Sequence, residues 1–324
     1  MPQLRSEHLD VDTTSYYHLV SRCVRRAFLC GEDPYTGQDF EYRREWVEAR
    51  LFELTRIFAI DLHAFAVMSN HLHIVVHVDR DRAERWSDSE VVRRYGKLFG
   101  RKPKEFETLP AREKKERVAA WRERLWSLSW LMRCLNESIA RRANAEDECT
   151  GHFWEGRFRC QPLLDETALL TCMAYVDLNP VRAGAAKSLK ASKHTSVAKR
   201  IAQLDAAMKS DASPVPSGLA PFADQVPSGS RRVRIPMHLV DYLELLTWTG
   251  REVRTRGPSG TLKRVPSPLR ELALDPESFV AMMRSHGLKS ASVLGSLDAI
   301  ESFADGQGKA WVRGTRLAKE LAAP

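Results

Sequence analysis

Two histidines, His71 and His73, lie two positions apart within residues 64–77, a segment rich in Val and Ile. This composition predicts a β-hairpin, with Ser69 and Asn70 at the turn between two strands. Because side chains alternate along a strand, His71 and His73 face the same side. Two neutral imidazoles on one face can share a divalent cation. The pair therefore indicates a metal site, and the alternative is two histidines satisfied by hydrogen bonds on a half-buried strand.

A nucleophile and a third ligand are available about one hundred residues later, on a helix that Asp165 is expected to cap. Tyr175 and Asn179 are four residues apart, so they share one face of that helix. The helix is expected to stop at Asn179-Pro180, because a residue before proline is biased away from helical angles. If this helix packs against the histidine strand, Asn179 completes the metal site and the Tyr175 hydroxyl lies beside it. The alternatives are a terminating asparagine and a tyrosine with a packed ring and a hydrated hydroxyl.

The elements that must position these residues follow from the apolar spacing. A first strand is predicted at 15–23, a helix at 41–60, and the hairpin strands at about 61–68 and 71–78. This order of elements is the opening of a ferredoxin-like α+β fold, in which helices pack on an antiparallel sheet.

A charged, mostly helical insertion is predicted at about 79–150, with helices at 89–100 and 112–144. The compact loop that follows is expected to lead into a strand near 159–164. The insertion is longer than a minimal sheet-and-helix core needs.

A stretch rich in Ser, Pro, Gly and Ala, residues 211–230, predicts a linker. It divides a catalytic domain at 1–210 from a helical C-terminal region at 231–324, whose role the sequence leaves open.

The bulk composition favours an anionic partner, because the 324-residue chain carries a formal charge of +8. The six cysteines form no C-x-x-C pair, which argues against a zinc ribbon or a redox motif. The N-terminus lacks the apolar core of a signal peptide, and no apolar run approaches membrane-spanning length. We therefore expect a cytoplasmic protein with no membrane partner.

Three blocks in this order, at 68–73, 151–158 and 175–184, together resemble the single-tyrosine HUH transposases, and within them the REP-associated tyrosine transposases. Residues 17–22 are also similar to the first strand of that family, so the resemblance covers roughly residues 15–185. One departure is Ser69, which stands where the family commonly has proline.

The resemblance implies an HUH endonuclease core and a transposase-type nuclease and strand transferase that acts on single-stranded or hairpin DNA. It implies that the Tyr175 hydroxyl attacks a phosphodiester, leaving a 5′-phosphotyrosine that a second DNA end can displace. It implies Mg²⁺ or Mn²⁺ held by His71, His73 and Asn179, although imidazole ligands by themselves favour Zn²⁺, Mn²⁺ or Co²⁺. It leaves open a monomer or a homodimer.

Four arginines in or beside these blocks are candidates for binding phosphates or stacking on bases, or else are ordinary solvated charges. They are Arg22, Arg25, Arg157 and Arg182. Two other functions fit the same residues: a non-catalytic hairpin DNA-binding protein on this fold, and a metal-dependent phosphodiesterase in which water attacks.

Overall fold

In the computed structural model, an antiparallel sheet of four strands lies at the centre of the described residues. The structure describes residues 13–24, 29–33, 37–99, 106–209, 215, 217–227, 230, 233–254, 264–285 and 287–322. The strands are β1 (Tyr16–Arg22), β2 (Ile60–Val67), β3 (His71–Val78) and β4 (Arg159–Leu163). Their order across the sheet is β2-β3-β1-β4. The predicted α+β class with an antiparallel sheet is confirmed.

Helices account for most of the remaining described chain. Before residue 210 they are α1 (Arg43–Ile57), α2 (Arg80–Glu84), α3 (Asp88–Leu98), α4 (Ala111–Arg124), α5 (Leu128–Glu146), α6 (Glu166–Asp177), α7 (Asn179–Arg182) and α8 (Ser196–Ala207). Towards the C-terminus they are α9 (Leu239–Arg254), α10 (Ser267–Glu271), α11 (Pro276–Arg284), α12 (Leu297–Gly306) and α13 (Thr315–Leu321).

The two faces of the sheet contribute to two different hydrophobic cores. Leu72, Ile74 and Val76 of β3 pack in the core that contains α1, α3 and α5. Val75, on the same face as His71 and His73, packs in the core that contains α6 and α9. The alternation of β3 therefore decides which helices cover the histidines.

Two helix boundaries differ from the sequence-based expectation. The predicted helix at 112–144 is two helices, because the Ser127 hydroxyl accepts the Trp130 N–H and starts α5 anew. The helix carrying Tyr175 ends at Asp177, and Asn179 begins the short α7. Pro180 is accommodated there because the first turn of a helix has no partner for its N–H groups.

The C-terminal helices pack against α6 rather than standing apart from it. Tyr242 of α9 is fully buried, and its hydroxyl donates to the Asp177 carboxylate at 2.7 Å. Leu219 and Phe222, within the predicted linker, are also buried. In the part of the chain that the structure describes, no helix combines the length and apolarity needed to cross a membrane.

Candidate active site

The register of the sheet places the two histidines beside residues of the first strand. Arg22 of β1 lies opposite His71, and Val20 lies opposite His73. The imidazole rings of His71 and His73 have their centroids 4.8 Å apart, nearly perpendicular to each other. Both side chains lie on one face of β3, as the alternation of the strand predicts, and the structure places the His73 ring beside Tyr175 of α6.

Tyr175 of α6 lies next to this histidine pair. Its ring centroid is 6.0 Å from that of His73, and only 1% of its surface is exposed. The Tyr175 hydroxyl is buried and has no hydrogen-bond partner among the residues that the structure describes. A buried hydroxyl without a partner is costly, so this one requires a group in the adjoining cavity, either water or a ligand, to satisfy it.

A cavity of about 230 Å³ joins these groups, and Tyr175, His71 and His73 all line it. Four cationic side chains and one carboxylate complete its charged lining: Arg22, Arg157, Arg159, Lys289 and Glu155. This excess of positive charge suits an anion such as a phosphodiester.

A chain of hydrogen bonds along one wall of the cavity determines which nitrogen of His73 carries the proton. The Gln161 side-chain amide donates to the main-chain carbonyls of Leu288 at 3.1 Å and Ala291 at 2.8 Å. Its carbonyl oxygen therefore faces His18 and accepts from the His18 Nδ1–H at 3.0 Å. The neutral His18 ring accepts at Nε2 from the His73 Nδ1–H at 2.8 Å.

Burial keeps both of these imidazoles neutral. It lowers the pKa of His18 from 6.5 to about 4, an effect that the hydrogen bond to Gln161 partly offsets. Burial also lowers the pKa of His73 well below its usual value, and the neighbouring His18, His71, Arg182 and Lys289 lower it further. His73 therefore presents an unprotonated Nε2, which is buried and has no hydrogen-bond partner in the described part of the chain.

Arg182 and Asn179 lie behind the tyrosine rather than in the cavity lining. The Arg182 guanidinium stacks on the Tyr175 ring with its carbon 4.1 Å from the centroid. It donates to the Asn179 Oδ1 at 2.9 Å and to the Ser285 carbonyl at 2.8 Å. Arg182 thus holds the Tyr175 ring from the side away from the cavity. The Asn179 side-chain oxygen already accepts a hydrogen bond from Arg182.

The fit of this site to a metal ion can be judged from its donor atoms. The lone pair on His73 Nε2 is what a metal ligand requires, and the hydrogen bond at Nδ1 is the support that metal-bound histidines usually have. Within the described ranges, no group of three His, Cys, Asp or Glu side chains is placed to hold a metal. The two imidazoles therefore suit a cation that takes its other ligands from substrate oxygens and water.

The structure brings five of the predicted site residues to one cavity: His71, His73, Tyr175, Arg22 and Arg157. Arg182 contacts Tyr175 from outside the lining, and the place of Asn179 in a ligand set stays a prediction. Arg25 lies outside the described residues.

Four contributors were missed from the sequence: His18, Gln161, Arg159 and Lys289. His18 and Arg22 share one face of β1, and Arg159 and Gln161 share one face of β4, so alternation could have paired them once the register was known. Lys289 comes from a 3₁₀ turn, Gly287–Lys289, more than one hundred residues after Tyr175. No local pattern marks it.

Comparisons with known proteins add little to this geometry. No protein-family model matches the chain, and no curated protein sequence matches it. It is similar to a solved structure described as a REP-associated tyrosine transposase bound to a REP hairpin, with a TM-score of 0.39 and 11% sequence identity. That match covers 72% of this chain and 99% of the other. Similarity at this level does not establish a shared function, so a function has to be argued from the residues of the site.

Proposed function

We propose that this protein cleaves and rejoins single-stranded DNA, with the Tyr175 hydroxyl as the nucleophile. The observation that carries the proposal is the buried hydroxyl of Tyr175, which no described residue engages and which lies in a cavity lined by cations and by His73. The residue types and their order along the chain, which resemble the single-tyrosine HUH transposases, support the same chemistry. Single-stranded DNA that folds into hairpins is the proposed substrate.

In the proposed reaction a bond forms between the Tyr175 oxygen and the scissile phosphorus, and the bond from phosphorus to the 3′ oxygen breaks. The phenolic proton is released, and the departing 3′ oxygen becomes a hydroxyl by taking up a proton. The DNA 5′ end stays on the protein as a phosphotyrosine. Because this ester retains the energy of the broken bond, the 3′ hydroxyl of a second strand can reverse the step.

The cationic side chains perform the electrostatic part of this reaction. Arg22, Arg159 and Lys289 line the cavity and bind the phosphate whose negative charge increases as the tyrosine attacks. Arg182 is itself fixed by hydrogen bonds to Asn179 and to the Ser285 carbonyl, and it stacks on the Tyr175 ring. It therefore keeps the hydroxyl directed into the site.

We also propose that His71 and His73 hold Mg²⁺ or Mn²⁺ together with oxygens of the bound DNA. Such a cation withdraws charge from the phosphate and stabilises the leaving oxygen. The unpartnered Nε2 of His73 supports this assignment.

The finer fold assignment belongs with this proposal. The order β2-β3-β1-β4, with α1 between β1 and β2 and α5 before β4, supports a ferredoxin-like HUH core. Tyr175 and the histidines of one chain line the same cavity, which supports catalysis within a single chain, whether the protein is a monomer or a homodimer.

The test is to trap the covalent adduct. Wild-type protein incubated with end-labelled hairpin DNA and Mn²⁺ should give a labelled band that survives denaturing electrophoresis, and Tyr175→Phe should abolish it. Tyr95→Phe is the matched control, because Tyr95 is also buried but lies in the core on the opposite face of the sheet. Its adduct should match that of the wild type.

Two other outcomes would select the alternative functions. Tight, salt-sensitive hairpin binding without any adduct would indicate a non-catalytic DNA-binding protein. Cleavage that persists in Tyr175→Phe but is lost in His71→Ala would indicate a phosphodiesterase in which water attacks.

A further inference from the structure

A second and larger cavity, of about 920 Å³, lies beside the candidate active site. We name it the C-terminal groove; it is formed by residues of α11, the segment 290–291 and the segment 311–321. Trp311 is on its wall and is 71% exposed, the most exposed of the aromatic side chains in the described residues. Most of its indole surface is therefore accessible, so a ligand in the groove can stack on it.

The charge of the groove indicates what kind of ligand that is. The stretch 309–316 contains Lys309, Arg313 and Arg316 and no acidic residue. Arg313 and Arg316 both line the groove, and the one carboxylate of its lining, Glu320, is paired with Arg316 at 2.7 Å. Cations interleaved with an exposed aromatic ring are the combination that binds single-stranded nucleic acid.

The groove and the active site share one wall. Lys289 lines the active-site cavity, and the next two residues, Ser290 and Ala291, line the groove. Arg159 extends from the active site and donates to the Ala291 carbonyl. The turn at residues 289–291 therefore contributes to the lining of both cavities.

The segment that carries Trp311 is hydrogen-bonded to residues 292–293, which directly follow the turn shared by the two cavities. The Arg313 carbonyl accepts the N–H groups of Ser292 at 2.7 Å and Val293 at 3.2 Å. A Cβ on Gly314 would come within 2.6 Å of the Val293 carbonyl oxygen, so the two segments approach as closely as glycine allows. Trp311 is thus presented from a fixed backbone, which lowers the entropic cost of stacking.

We propose that the C-terminal groove binds the single-stranded DNA that flanks the cleavage site, with one base stacked on Trp311 and phosphates on Arg313 and Arg316. This assignment rests on the proposed function for its choice of DNA. It assigns to the C-terminal helices the task of holding the strand that enters or leaves the active site.

The test is a binding measurement that does not require catalysis. Fluorescence anisotropy in the Tyr175→Phe background compares a labelled hairpin with and without single-stranded extensions at its 5′ or 3′ end. Removing a stacked aromatic should weaken binding of an extended hairpin by about 5- to 150-fold in Trp311→Ala. Binding of the blunt hairpin should be unchanged, and Trp311→Phe should retain most of the affinity.

The chain offers matched controls for both side-chain types. Phe99→Ala removes another exposed aromatic residue, from the end of α3, and should leave binding unchanged. Arg316 and Arg112 are each at least nine-tenths exposed and each pairs with a glutamate four residues later. Arg316→Ala should weaken binding of the extended hairpin, whereas Arg112→Ala should not.

Equal affinity of Trp311→Ala and wild type for extended hairpins would overturn the groove assignment. So would a wild-type protein that binds extended and blunt hairpins equally. Either result leaves the proposed function standing as long as Tyr175 forms its adduct. Conversely, loss of extension binding in Trp311→Ala without any adduct in the wild type would support the groove and refute the cleavage chemistry.

Discussion

The substitution His18→Phe keeps His73 in place but changes which of its ring nitrogens carries the proton. It therefore tests whether the tautomer of His73 matters for cation binding. His18 contributes no atom to the proposed chemistry, yet its Nε2 accepts the His73 Nδ1–H at 2.8 Å. Phenylalanine has no acceptor, so the variant leaves that N–H unpaired in a site where His73 is 2% exposed. The proton then moves to Nε2, where the cavity can hydrate it, and the nitrogen that should bind the cation is occupied.

The expected effect follows from the cost of the lost hydrogen bond. A buried donor without a partner costs about 1–3 kcal/mol. Because about 1.4 kcal/mol corresponds to a factor of ten, retaining the free Nε2 becomes roughly 5- to 150-fold less favourable. The Mn²⁺ concentration that gives half-maximal adduct formation should rise by a factor in this range, in line with the usual effect of altering groups that support a metal ligand.

The assay is adduct formation at a fixed hairpin concentration across a Mn²⁺ titration. His18→Gln is the rescue variant, because an amide can accept from His73 and donate to Gln161, and it should lie closer to wild type. Tyr242→Phe is the stability control: it breaks a buried hydrogen bond to Asp177 without touching the histidines. It should lower the melting temperature and leave the Mn²⁺ requirement unchanged.

An unchanged Mn²⁺ requirement in folded His18→Phe would refute the reasoning, because His73 would then need no fixed tautomer. The same shift in Tyr242→Phe would also refute it, since the effect would be one of general destabilisation.

Two further predictions concern pH and salt. Burial lowers the pKa of His18 from 6.5 to about 4, so below pH 6.5 the unfolded chain takes up a proton that the folded chain refuses. The free energy of unfolding should therefore fall as the pH decreases from 6.5 to 4, and His18 should account for about 3 kcal/mol of that fall. Denaturant titrations of His18→Phe should show a smaller fall over the same pH range. An equal fall in the variant and the wild type would contradict this prediction. Lys289→Ala should weaken DNA binding at all sequences and reduce the slope of log affinity against log salt by about 1, because one phosphate contact is lost. An unaltered salt slope would remove Lys289 from the phosphate site.

Local features of this chain were predictable because they depend on neighbours in the sequence. The alternation in β3 predicts that His71 and His73 share a face, and the rings are in contact distance of one another. Asp165 was expected to cap the helix of Tyr175, and its carboxylate accepts the Ala168 N–H at 2.8 Å. The Asp165 cap and the alternation of β3 each depend on residues within a few positions, so the sequence alone predicts these two features.

The helix boundaries show where such local reasoning stops. Apolar spacing continues across residues 112–144, so periodicity alone predicts one helix. The Ser127 cap divides it, and the gap allows α4 and α5 to pack separately. A capping serine inside a periodic stretch competes with the helix ladder, and only packing decides between them.

The sequence by itself determined which residue types could do chemistry and which of them share a strand or a helix face. Only the tertiary structure decided that α6 covers the histidine face and that His18 and Gln161 set the proton on His73. It also decided that Lys289 reaches the active-site cavity from the C-terminal region, and that Trp311 lines the groove next to it. The physical reason is distance along the chain: strand register and helix docking result from contacts between residues far apart in the sequence, which no local pattern encodes.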